Sequence, residues 1–192
     1  MKEALGKIFK WIYIKRQPIV QGIVLLFASI YFIYALGYTT NWAGVVTETR
    51  GASFFRASQQ ANRLMVDLGF ITLLVVLLNL IMGSFTRKKY YLSNFLLSIL
   101  ATVLMIVQAV ITVYYNSVIS RMYARLSEDE VPSYLYQTHG AGEKSFAVFE
   151  QGDILSFILI GVAIILIVFT IIKYRAQKER AKLIKELLVN EH

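Results

Sequence analysis

Five polar or charged residues lie within or beside long apolar segments of this chain. Asp67 and Asp153 stand near the ends of two segments, Arg63 precedes Asp67 by one helical turn, and Asn79 and Gln108 lie deeper. An ionisable group at the centre of a membrane costs about 2.5–3.5 kcal/mol, so such groups often mark a path for ions or protons. We therefore take these five residues as candidate binding residues, which either line a polar path or join helices.

Each of these residues also has an explanation that needs no ligand. Asp67 is expected in the first turn of its helix, where the helix dipole and Arg63 both stabilise a carboxylate. Asp153 is expected at a helix N-cap. Asn79 and Gln108 can hydrogen-bond between helices, a contribution of about 0.6–2 kcal/mol each. We prefer helix pairing for these side chains, and a relay through the two aspartates is the alternative.

Most residue types that catalysis or metal binding requires are scarce in this sequence. There is no cysteine, which excludes disulfides, thiolate metal sites and cysteine nucleophiles. The two histidines, His139 and His192, both lie outside the apolar segments, so no segment offers paired haem ligands. The acidic run at 128–130 lacks the ligand spacing of a calcium loop. The sequence therefore predicts no enzyme, no metal and no cofactor.

The elements that must position these residues are four apolar segments. The chain is 57% hydrophobic and 17% charged, and about 20 helical residues cross a hydrocarbon core roughly 30 Å thick. Because lipid offers the backbone no hydrogen-bond partners, the segments must be helices. We predict an all-α polytopic membrane protein with one four-helix domain over residues 1–192. Its transmembrane spans are predicted at 19–38, 64–85, 91–115 and 154–172.

The basic residues are distributed unequally between the two sides of the predicted membrane domain. Fourteen Lys and Arg residues lie in the N-terminal arm, the turn at 86–90 and the C-terminal tail. The loops at 39–63 and 116–153 carry six. By the positive-inside rule, both termini are cytoplasmic and these two loops face outward. Together with the absence of cysteine, this pattern predicts a multi-pass protein of the plasma (inner) membrane.

Helical stretches are also predicted outside the four spans. Residues 1–17 alternate lysines with bulky apolar residues, a pattern typical of a short helix in the membrane interface. Pro18 is then expected in the first turn of the next helix. The basic residues 173–190 are expected to continue the fourth helix into the cytoplasm, and helix is also predicted at 52–62 and 117–126.

Two functions fit these features. The first is a noncatalytic integral-membrane subunit or accessory (scaffold) protein of a larger membrane complex. The alternative is a small oligomeric transporter or channel component, with Asp67, Asn79, Gln108 and Asp153 lining a shared path. The expected partners are the lipid bilayer and either another membrane protein or further copies of this chain. The chain has a net charge of +8, and its basic residues lie mostly beside the spans. This position indicates anionic lipid headgroups rather than nucleic acid as their partner.

Overall fold

The computed structural model of the chain describes residues 2–38, 52–83, 90–126 and 145–190. For residues 2–16, 52, 180 and 184–190 it describes the backbone alone. Four helices account for nearly all of these residues, and the described ranges contain no strand, so the predicted all-α class is confirmed there. The helices are α1 (Lys2–Gly37), α2 (Ala52–Gly83), α3 (Tyr91–Ala124) and α4 (Ala147–Asn190).

The helices form an antiparallel bundle in which each one packs on two others. α1 and α3 each contact both α2 and α4. At one end, Gln21 near the middle of α1 contacts Asn79 near the end of α2, and Asn79 contacts Ser98 near the start of α3. At the other end, the rings of Phe54 in α2 and Tyr123 in α3 are in contact. We call these the Asn79 end and the Phe54 end of the bundle.

All four helices are long and apolar enough to cross a membrane, as predicted. The candidate spans are Gln17–Gly37, Ser53–Gly83, Tyr91–Ala124 and Ala147–Leu183. Exposed large apolar side chains form a belt around the bundle, which we call the apolar belt: residues 23–36 of α1, 64–81 of α2, 92–114 of α3 and 154–172 of α4. Many polar side chains are instead buried. An apolar exterior around a partly polar interior is the arrangement of a multi-pass membrane protein.

The helices extend beyond the apolar belt at the Phe54 end. α2 begins at Ala52 and α3 ends at Ala124, so the helices predicted at 52–62 and 117–126 are continuous with the spans. The extension of α2 follows from its amphipathic pattern. Phe54, Phe55 and Ser58 are buried, whereas the side chains between them and after them are mostly exposed.

A cluster of aromatic rings, which we call the aromatic cap, fills the Phe54 end. Tyr123 lies at its centre, with ring centroids 5.6 Å from Phe54, 5.2 Å from Phe146 and 5.9 Å from Phe149. Phe55 completes the cap, 5.1 Å from Phe54. Most exposed residues beside the cap are polar or charged: Ser53, Arg56, Arg121, Arg125, Glu150 and Gln151. The aromatic cap is thus a small hydrophobic core under a polar surface.

The predicted break before Pro18 is absent. α1 runs from Lys2 through Pro18 without interruption, so the placement of Pro18 in the first turn of a new helix is wrong. A proline removes one backbone hydrogen bond, but membrane helices tolerate it because neighbouring groups and local adjustments satisfy the freed carbonyl. At the other terminus, α4 continues as one helix to Asn190. The acidic run at 128–130, His139, His192 and the turn at 84–89 lie outside the described residues.

Candidate functional site

The buried face of α3 carries a row of polar side chains that faces the rest of the bundle. Most of its members follow one another at intervals of four residues, which places them on one side of a helix. They are Asn94, Ser98, Thr102, Gln108, Thr112 and Asn116. The opposite face of α3 is exposed and apolar. Polar contacts from α3 therefore point to the other three helices rather than to lipid.

At the Asn79 end, these contacts join three helices around one asparagine. Asn79 is 1% exposed. Its side-chain Oδ1 lies 2.8 Å from the Ser98 hydroxyl, which can donate to it from α3. Gln21 Nε2 of α1 donates to the Asn79 carbonyl over 3.1 Å, and Gln17 Nε2 donates to the Gly83 carbonyl. Asn79 thus makes the interhelical hydrogen bond that its position in a span favours.

Near the Phe54 end, a second group of polar side chains joins α1, α3 and α4. Asn116 Nδ2 donates to Asp153 Oδ1 over 3.0 Å and to the Phe149 carbonyl over 3.1 Å. The Tyr34 hydroxyl donates to the Val148 carbonyl over 3.1 Å. The hydroxyls of Tyr31 and Thr112 are hydrogen-bonded to each other. Together these contacts hold the start of α4 against α1 and α3.

Asp153 does not occupy the predicted N-cap. α4 begins at Ala147, so Asp153 lies in its second turn, where Asn116 is its partner. Ser145, two residues before α4, accepts a hydrogen bond at its Oγ from the Ala147 amide at 3.3 Å. The prediction was wrong because it placed the helix start where the apolar residues begin, whereas the helix starts earlier under the aromatic cap.

Asp67 does not lie in the first turn of its helix either. α2 begins at Ala52, so Asp67 is about four turns from the start. Because the helix dipole acts within the first turn, the predicted stabilisation by the dipole is wrong. Asp67 is exposed, and with Arg63 it lines an open groove on the outside of α2 that includes Gln59, Gln60 and Leu64.

The structure separates the five predicted residues into two sets. Asn79 and Gln108 are each 1% exposed inside the bundle, and Asp153 is half-buried at its edge. Arg63 and Asp67 lie on its outer surface. Gln108 Oε1 and Asn116 Oδ1 have no hydrogen-bond partner among the described residues. Such interior acceptors are sites where an ordered water can bind.

Sequence reasoning missed the residues that complete the second polar group: Tyr31, Tyr34, Thr112 and Asn116. One signal was present in the sequence. The polar row of α3 continues at the same interval through Thr112 to Asn116, one residue beyond the predicted end of the span. Tyr31 and Tyr34 carried a weaker signal, since membrane tyrosines are common at interfaces. Only packing shows that these two hydroxyls point inward.

A small cavity lies between α1, α3 and α4 at the Asn79 end. Its volume is about 10 Å³, room for about one water. Its polar lining consists of Gln21, Asn94, Ser98, Thr170, Lys173, Tyr174 and Gln177. Within the described ranges, no three His, Cys, Asp or Glu side chains are grouped so that they can hold a metal ion. The arrangement suits helix association and water binding.

Fold and site together define a multi-pass membrane protein whose helices are joined by polar contacts centred on α3. Comparison of the chain with protein-family models, curated proteins and solved structures finds no match.

Proposed function

We propose that the chain is a noncatalytic subunit or accessory protein of a larger membrane complex. The observation that carries this proposal is the direction in which its polar groups point. Interior groups such as Asn79 and Asn116 bond to neighbouring helices of the same chain. Arg63 and Asp67, in contrast, face away from the bundle. An outward polar surface on a membrane helix suits contact with another protein better than contact with lipid.

The transporter alternative requires the polar residues to share one path. Asn79 and Gln108 face the interior of the bundle, whereas Asp67 lies on its outer surface. A path between subunits would pass Asp67 but not the two buried amides. A path through one chain would pass the amides but not Asp67. This separation favours the accessory role.

We propose further that the protein resides in the plasma (inner) membrane with both termini in the cytoplasm, supported by the concentration of basic residues on that side. Because the chain has no cysteine, single cysteines can report this orientation. Arg125→Cys, at the end of α3, should react with a membrane-impermeant maleimide on intact cells. Lys178→Cys, an exposed position in α4, should react only after permeabilisation. The reverse pattern would contradict the orientation.

The proposed role predicts that a second polypeptide accompanies the chain. Native mass spectrometry after mild extraction from its own membrane should detect this chain and another protein in a fixed ratio. The same sample in a denaturing detergent is the control and should release the two proteins separately. Recovery of this chain alone, at every extraction strength that keeps it folded, would refute the accessory role.

A further inference from the structure

An open groove runs along the outside of the bundle between α1 and α4. Its volume is about 340 Å³, and every side chain that lines it is apolar. We call it the α1–α4 groove; its lining residues are Val20, Ile164, Ile165, Val168, Phe169 and Ile172. From Ile164 to Ile172 the groove follows α4 for about 12 Å. This part of α4 belongs to the apolar belt, so the groove opens to the acyl chains of the membrane.

The α1–α4 groove adjoins the small cavity between α1, α3 and α4. Phe169 lines both, and Val20 of the groove and Gln21 of the cavity are consecutive residues of α1. The cavity adds polar side chains from α3 and α4, among them the buried Asn94 and the half-buried Lys173. An apolar groove and a polar cavity therefore meet where the apolar belt of α4 ends.

Lys173 supplies a positive charge at this junction. Although it is half-buried, it makes no hydrogen bond or ion pair to another described residue. It directly follows Ile172, the last exposed large apolar residue of the belt on α4. The end of the belt corresponds to the membrane interface, where the phosphate groups of lipids lie, and a lysine with a buried stem can extend its ammonium to them. The charge of Lys173 is therefore complementary to an anionic headgroup.

We propose that this junction binds one phospholipid with an anionic headgroup. An acyl chain lies in the α1–α4 groove, and the phosphate group pairs with Lys173 at the opening of the cavity. The cavity itself has room for about one water, so the phosphate stays outside it. Basic pockets between membrane helices bind anionic headgroups in this way. Under the orientation proposed above, the junction lies in the cytoplasmic leaflet, which carries the anionic lipids.

Native mass spectrometry of the full chain, purified in detergent and freed of native lipid, tests the headgroup contact. The probes are phosphatidylglycerol and phosphatidylcholine with identical acyl chains, because only the first carries a net negative charge. Lys173→Gln should lower the affinity for phosphatidylglycerol about fivefold, the contribution of one basic residue near an anionic headgroup, and should remove its preference over phosphatidylcholine. Lys178→Gln, at an exposed position of α4, is the matched control and should bind both lipids like the wild type.

The contact of the acyl chain is tested by filling the groove. Val168→Trp places an indole in the α1–α4 groove and should weaken the binding of both lipids. Val110→Trp is the matched control: Val110 of α3 is 56% exposed in the apolar belt, against 50% for Val168, and it does not line the groove. Because both positions are exposed, both variants should keep the unfolding midpoint of the wild type.

Undiminished binding of phosphatidylglycerol to Lys173→Gln, an equal loss with Lys178→Gln, or unchanged binding of both lipids to Val168→Trp would each overturn the proposal. Displacement of the lipid by excess inorganic phosphate would also overturn it, because the site would then take the free anion without an acyl chain. The lipid site goes beyond the accessory role and does not depend on it. Lipid binding is measured on this chain alone, whereas the accessory role is tested by recovery of a second polypeptide.

Discussion

Phe54→Ala is expected to lower the free energy of unfolding by about 3–5 kcal/mol, the range for truncating a buried phenylalanine. Phe54 is 1% exposed and contacts Phe55 and Tyr123 in the aromatic cap. The surface beside the cap is polar, so unfolding exposes the side chains of the cap to water rather than to lipid or detergent. The hydrophobic effect therefore contributes fully to the stability of the cap. Thermal unfolding of the purified protein in detergent, followed by circular dichroism, measures the loss.

Phe157→Ala is the matched control for the aromatic cap. Phe157 is 66% exposed in the apolar belt, where lipid or detergent contacts it both before and after truncation. Its replacement should change the free energy of unfolding by no more than about 0.5 kcal/mol, as for other exposed sites. Equal losses for the two variants would show that the cap is not a separate core.

Gly152→Val should destabilise the protein by about 3 kcal/mol, at the upper end of overpacking costs. A Cβ on Gly152 would overlap the Tyr34 hydroxyl and lie 2.5 Å from Asn116 Nδ2. Both side chains would have to move, which breaks the bonds from Tyr34 to Val148 and from Asn116 to Asp153. The half-buried carboxylate of Asp153 would then lose its amide partner.

Gly161→Val provides the comparison on the same helix. A Cβ at Gly161 meets no atom within 4 Å, and the residue is exposed. Its replacement should leave the unfolding midpoint in detergent nearly unchanged, whereas Gly152→Val should lower the midpoint by several degrees. A similar midpoint for both variants would mean that the contacts of Asn116 and Tyr34 contribute little to holding α4.

Both predictions concern the Phe54 end, where the bundle passes from the apolar belt into water and is stabilised by different interactions on the two sides of that boundary. Within the apolar belt, lipid is as apolar as a leucine side chain, so packing and interhelical hydrogen bonds hold the helices together. Beyond the belt the helix ends are in contact with water. Burial of the aromatic cap therefore stabilises the folded state through the hydrophobic effect. The contact between Asn116 and Asp153 lies at this transition. It joins the polar network inside the bundle to the cap above it.

The candidate site was only partly predictable from sequence. Asn79 and Gln108 lie deep in apolar segments, and an amide in such a place favours the bundle interior because lipid cannot satisfy it. The helix starts were harder to predict, because the extensions of α2 and α4 under the aromatic cap are amphipathic rather than uniformly apolar. Asp67 and Asp153 were consequently assigned to helix ends that lie elsewhere.

The sequence by itself determined the number of spans, their approximate positions and their helical state. The length of an apolar segment can be read directly from the chain, and lipid leaves the backbone no alternative to a helix. Tertiary structure decided which way each polar residue points. Asp67 and Asn79 belong to the same helix, yet one faces outward and the other is buried. It also decided that Asn116 meets Asp153, because a contact between residues 37 positions apart depends on how α3 and α4 pack.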